Sequence, residues 1–92
     1  MHRAMSAAAE HPDSRRKRLL WRASHRGIRE MDLILGGFVT ARIATMTPAE
    51  LDQLEAVIDV PDQQLLAWAT RQEPVPARLR SPLLDEILAY RS

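Results

Sequence analysis

The chain has no cysteine, three glycines and four aromatic residues among 92. Without cysteine there is no disulfide framework and no thiolate metal site, which fits a reducing compartment. Scarce glycine leaves no phosphate-cradling loop: the Gly36–Gly37 pair is too short a pattern and no strand precedes it. The few aromatics (Trp21, Phe38, Trp68 and Tyr90) imply a mostly aliphatic core. No apolar run approaches the length of a membrane span. The N-terminus lacks the apolar core of a secretory signal. Its arginines are interrupted by Glu10 and Asp13, unlike a mitochondrial presequence. A cytoplasmic location is the simplest expectation, with the mitochondrial matrix as its eukaryotic counterpart.

Catalytic and metal chemistry find little support. His2, His11 and His25 have no partners at ligand spacing, so no metal site is expected. Ser6, Ser14, Ser24, Ser81 and Ser92 stand in no nucleophile elbow. A globule of this mass exposes roughly 5,000–6,000 Å² and has little room for a deep cavity. A standard interface of about 800 Å² would cover around a seventh of it. Binding another protein is therefore a more natural task than enclosing a substrate.

The net charge of +1 hides an asymmetry. Residues 1–30 carry eight Arg/Lys and three acids, whereas residues 31–92 carry five Arg and nine acids. The basic run "RRKRLLWR" (Arg15–Arg22) suits three partners: nucleic acid, an acidic protein face, or water. As a DNA reader it needs a helix-turn-helix context.

The periodicity is helical throughout, with proline and glycine at the joints. Residues 1–13 read as a flexible tail and 14–92 as one helical domain. The first helix is expected from about Ser14 to Arg26, capped by Asp13 or Ser14. Leu20 and Ala23 share a face, and Gly27 in a left-handed conformation ends the helix. A second starts near Ile28 and buries Met31, Leu35 and Phe38, flanked by Ile34 and Ala41. Gly36–Gly37 then marks either a local bend or a closely packed backbone. "TPAE" (Thr47–Glu50) is a capping box with proline in the first helical position. Leu51, Leu54, Val57 and Ile58 form that helix's inner face. A fourth helix starts near Pro61 and buries Leu65, Trp68 and Ala69. Ser81–Pro82 opens a fifth, which buries Leu84, Ile87 and Leu88. The fold class is all-α: a small five-helix bundle in a single domain.

The corner "SHRGIREMD" (24–32) has a local explanation. Gly27 serves as the N-cap of the second helix, Glu30 sits at N3 near the positive end of the helix dipole, and Arg26 pairs with Glu30. The surrounding residues add a second reading. "WRASHRGIREMDLILGGF" resembles the RGxxE signature of the succinate dehydrogenase flavinylation factors, bacterial relatives of mitochondrial assembly factor 2. Arg26, Gly27 and Glu30 fill the three defining places, Asp32 the acidic one, and Trp21 and Phe38 the flanks. "TPAELDQLEAVIDVPDQQLLAWA" is similar to that family's third and fourth helices. His25 stands where a second arginine is usual, Ile28 where methionine is common, and Met31 where leucine is common.

The resemblance implies a chaperone-like assembly factor rather than an enzyme. Such a factor binds the flavoprotein subunit of succinate dehydrogenase, and for some members that of fumarate reductase. It promotes covalent attachment of FAD there and binds no cofactor itself. The implied partner-binding residues are Arg26, Gly27 and Glu30, extended by Arg22, Trp21 and Asp32. Neither nucleic acid nor membrane insertion is implied, and the free factor is expected to be a monomer. Two alternatives stay open on the residues alone: a small nucleic-acid-binding domain using Arg15–Arg22, and an antitoxin-like interaction module.

Overall fold

The computed structural model describes residues 11–91. The larger part of the expected tail, with His2 and Glu10, lies outside the described residues, as does Ser92. Helix α1 (Pro12–Ser24) starts earlier than the sequence suggests. His11 is its N-cap, its Nδ1 accepting from the Asp13 N–H at 3.1 Å, and Pro12 takes the first turn. Helix α2 runs from Arg29 to Arg42 in three segments: an α turn (Arg29–Met31), a π turn (Asp32–Gly36) and an α segment (Gly37–Arg42). A 3₁₀ turn (Ile43–Thr45) closes it. Then come α3 (Pro48–Ile58), α4 (Asp62–Ala69), a 3₁₀ turn (Ala77–Leu79) and α5 (Pro82–Ala89). Among the described residues, the expected five-helix bundle is the observed architecture.

Local chemistry accounts for several starts. Thr47 and Glu50 form the reciprocal capping box, and Pro48 opens α3. The Ser81 hydroxyl accepts from the Leu84 N–H, and Pro82 opens α5. Apolar stripes then meet in one core containing Leu19, Met31, Leu35, Leu54, Leu65 and Ile87. No polar or charged residue is buried among the described residues. In α1 the buried pair is Leu19 and Ala23, with Leu20 half-buried at its edge.

The π turn explains how α2 fills the core. Residues four apart drift by about 40° per step around an α-helix. A π turn holds more residues per turn and takes up part of that drift. Met31, Leu35, Val39 and Ile43 therefore all stay buried, with Phe38 beside them, while Ala41 faces out. Both expectations for Gly36–Gly37 hold, since the helix is locally deformed and a backbone packs close. A Cβ at Gly36 would sit 3.1 Å from Ser24 Cα and 3.2 Å from the Ala23 carbonyl oxygen.

One backbone position departs from ease. Helix α4 closes with the Gln72 N–H donating to the Ala67 carbonyl and the Arg71 N–H to the Trp68 carbonyl. This double reach-back places Arg71 at φ 63°, where glycine is usual. Arg71→Gly is expected to raise stability by about 0.5–1 kcal/mol. Chemical denaturation tests it, and an unchanged or lower midpoint counts against this account of the turn.

Candidate partner-binding site

The site is built at the junction of α1 and α2. Helix α1 ends at Ser24, earlier than Arg26, with His25 as C-cap at φ −124° and ψ 62°. Gly27 does not end the helix in a left-handed conformation, for no described glycine has positive φ. Nor is Gly27 the N-cap of α2; Ile28 is, without a side-chain cap bond. Glu30 accordingly stands one place nearer the helix start than N3, still within the first turn. Residues 25–28 form a short connection that needs no strained backbone.

Arg26 holds that connection in place. Its Nε donates to Asp62 Oδ1 at 2.5 Å, Nη1 to the Ile58 carbonyl at 2.8 Å, and Nη2 to the Val60 carbonyl at 2.9 Å. The forked guanidinium thus satisfies two carbonyls at the C-terminal end of α3 and one carboxylate at the start of α4. The side chains of Arg26 and Asp62 are only 10% and 19% exposed. The other Asp62 oxygen accepts from the Gly27 N–H at 3.0 Å. Asp32 Oδ1 accepts from the Arg26 N–H at 2.6 Å. The expected Arg26–Glu30 pair is not made. A pair with Asp62, far along the chain, replaces it because the α3–α4 joint offers three acceptors at once.

The basic run is engaged in the same way. Arg15 reaches Asp52 and Glu55, Arg18 reaches Glu55, and Arg22 reaches Asp59 at 2.8 Å. With Arg26–Asp62 these make a ladder in which both sides advance by three or four residues per rung. Helices α1 and α3 therefore run parallel, and the opposed charges of the two parts of the chain meet each other. Hydrogen bonds from Arg15 to Asp52 and Glu55 raise its pKa above the ordinary value. Arg16 turns the other way and donates to the Ile43 and Met46 carbonyls. A phosphate backbone would have to compete with these carboxylates, so the nucleic-acid alternative loses its main residues.

Other parts of the corner face outward. Trp21 is 61% exposed and stacks on His25 with ring centroids 4.2 Å apart. His25 Nδ1 lies 2.8 Å from the Trp21 carbonyl oxygen, which can only accept, so Nδ1 carries the hydrogen. Where the resembled family places a fixed charge, this chain has an aromatic platform. Glu30 and Arg29 are exposed and make no ion pair among the described residues. Gly27 is exposed too, and an added Cβ would meet only Asp62 Oδ2 at 3.7 Å, an ordinary contact. Neither internal packing nor backbone conformation therefore requires glycine at this position.

No three His, Cys, Asp or Glu side chains group as metal ligands among the described residues. No described helix is long and apolar enough to cross a membrane.

Comparison with known proteins adds the decisive observation. Residues 17–91 match the family described as flavinator of succinate dehydrogenase. The chain belongs to this family. It is 40% identical to the FAD assembly factor SdhE of Acetobacter pasteurianus over 92% of this chain and 78% of that relative. It is 34% identical to mitochondrial succinate dehydrogenase assembly factor 2 of Yarrowia lipolytica over 85% of this chain and 57% of the relative. Against the Candida glabrata factor of the same name, identity is 36% over 75% of this chain and 47% of the relative. The chain thus spans about half the length of these mitochondrial relatives. The match covers the whole corner and every rung of the ladder from Arg18 onward.

Asp62 is the residue of this corner that the sequence does not single out. It reads locally as a helix start. The signal was present in the spacing: arginines at 15, 18, 22 and 26 match acids at 52, 55, 59 and 62.

Proposed function

We propose that this chain is an assembly factor that binds the flavoprotein subunit of succinate dehydrogenase and promotes covalent attachment of FAD to it. The flavoprotein subunit of fumarate reductase is a second client of the same kind. The FAD belongs to the partner, and the factor acts as a single chain without a cofactor. Its contribution is differential binding: it favours the partner conformation in which the bond forms.

Membership of the family supports this reading, and one geometric observation carries it. Glu30 is a carboxylate without an ion-pair partner among the described residues, held out on a corner that the Arg26–Asp62 clamp makes rigid. A preorganised acceptor loses little entropy when a partner N–H arrives. Gly27 lets the partner backbone approach beside it. The Trp21–His25 stack supplies apolar contact on one side. Arg26 works by shaping the corner, Asp32 by pinning its backbone, and Arg22 by tying α1 to α3.

Glu30→Ala tests the proposal. The side chain is exposed, so its loss is expected to cost at most about 1 kcal/mol of stability through the helix dipole. Flavinylation should fall by about tenfold or more, the loss typical of a central interface contact. The assay is flavin fluorescence of the flavoprotein subunit on a denaturing gel, in cells whose own factor is deleted. Wild-type fluorescence with this variant would sink the reading.

A further inference from the structure

The corner is too small to be the whole interface. A stable protein–protein contact takes about 800 Å² and roughly 20–30 residues from each side. The corner spans residues 24–32, and within it Met31 is buried while Arg26 points into its own chain. The contact must therefore continue beyond it. Three large apolar side chains are strongly exposed among the described residues: Trp21, Leu33 and Leu79. Leu79 lies in a groove with Val57, Trp68 and Leu84 that contains no corner residue. Trp21 joins the corner through His25. Leu33, 52% exposed, joins it through a groove of about 350 Å³ that it lines with Glu30, Ile34, Leu66, Thr70 and Arg91.

The lining of this groove carries one charge of each sign, Glu30 and Arg91, which make no ion pair with each other. Glu30 is unpaired among the described residues. Arg91 donates to the Leu88 and Tyr90 carbonyls and more weakly to that of Ala69, and it meets no carboxylate among the described residues. Apart from Thr70, the rest of the lining is apolar: Leu33, Ile34 and Leu66.

We infer that this groove is the second half of the partner contact and takes one segment of the flavoprotein subunit. That segment carries an apolar side chain over Leu33 and Leu66, a lysine or arginine towards Glu30, and a carboxylate towards Arg91. The inference rests on the proposed function and adds to it. Glu30 and Arg91, opposite in sign and not paired with each other, fix the direction in which the segment lies, because the reversed orientation would place like charges together. The apolar floor supplies the area that the corner lacks.

The test measures affinity between the full chain and the purified flavoprotein subunit before covalent flavinylation. Wild type, Glu30→Ala, Leu33→Asp, Leu33→Met and Arg91→Glu are compared, each first checked by thermal melting. Leu33→Asp places its charge on an already exposed site, so the melting curve should stay near wild type. Its affinity should fall about tenfold or more, with a similar loss for Arg91→Glu and near-wild-type binding for Leu33→Met. Suppose Leu33→Asp and Arg91→Glu bind like wild type while Glu30→Ala is weakened. The groove proposal is then overturned and the corner stands. If the wild-type chain itself does not bind the subunit, the proposed function falls, and the groove proposal with it.

Discussion

Arg26→Met is expected to be among the most damaging single substitutions in this domain. The guanidinium is nearly buried and its three hydrogen bonds join the corner to the α3–α4 joint. Methionine fills similar volume but leaves the Asp62 carboxylate with only the Gly27 N–H. It also strips one donor each from the Ile58 and Val60 carbonyls. Breaking a buried pair by removing one member costs about 3–5 kcal/mol, and partial solvent access at Asp62 brings this nearer to about 2–4. For a domain of this size that corresponds to a fall of roughly 10–25 °C in melting temperature. Arg26→Lys should fall between wild type and Met, because an ammonium can hold Asp62 but cannot reach both carbonyls as well. Flavinylation should follow the loss of the clamp, with Asp62→Asn impaired in the same assay although it leaves every motif residue in place. A wild-type melting curve for Arg26→Met would dismiss the clamp. If that stable variant also failed to flavinylate, Arg26 would instead be a direct partner contact.

Gly36→Val should be nearly as costly, for a steric reason. The first atom of any side chain there already lies 3.1 Å from Ser24 Cα and 3.3 Å from Ser24 Oγ. Ser24 is the last residue of α1, so the close neighbour is backbone and cannot rotate away. Valine's two methyl groups would force α1 and α2 apart just where the corner begins. Overpacking of this kind costs about 1–3 kcal/mol, and the rigid neighbour places this site at the upper end. Alanine would be milder, since replacing a helical glycine gives back about 1 kcal/mol. Gly37 provides the contrast. Its added Cβ would meet Tyr90 Cε2 at 2.9 Å, but that is the far end of a side chain near the end of the chain, and it can swing aside. Denaturant titrations of Gly36→Val and Gly37→Ala should therefore differ clearly. Equal midpoints would mean that the α1–α2 contact is softer than its distances imply.

Much of the fold was legible because it is decided within a few residues. Thr47, Pro48 and Glu50 can satisfy one helix start by themselves, and Ser81 with Pro82 can begin another. The stripe Leu51, Leu54, Val57 and Ile58 needs only the helical period to face one way. The motif Arg26-Gly27-x-x-Glu30 was visible in the same sense, as types and spacing that pointed to a family. Two features were misread where local rules gave a plausible answer. Gly27 was expected to need a left-handed backbone, yet the chain turns through residues 25–28 without one. Pro12 was assigned to a tail, yet it is a good first helical residue and His11 caps it.

The roles of the motif residues could not be read locally. Arg26 has a long side chain that reaches acceptors on any nearby element, and the ones it found are 32 to 36 residues away. Glu30 has no ion-pair partner among the described residues because its nearest expected partner, Arg26, is taken. The basic run is the same case: the sequence set the sign and spacing of its charges, but only the parallel packing of α1 on α3 decided that carboxylates of its own chain would meet them. The π turn in α2 also depends on packing, through the core on one side and Ser24 on the other. The sequence by itself determined where helices start, which faces are apolar and which family the chain resembles. Tertiary structure decided which charges are consumed inside the fold and which remain to meet a partner, because electrostatic pairing depends on distance in space.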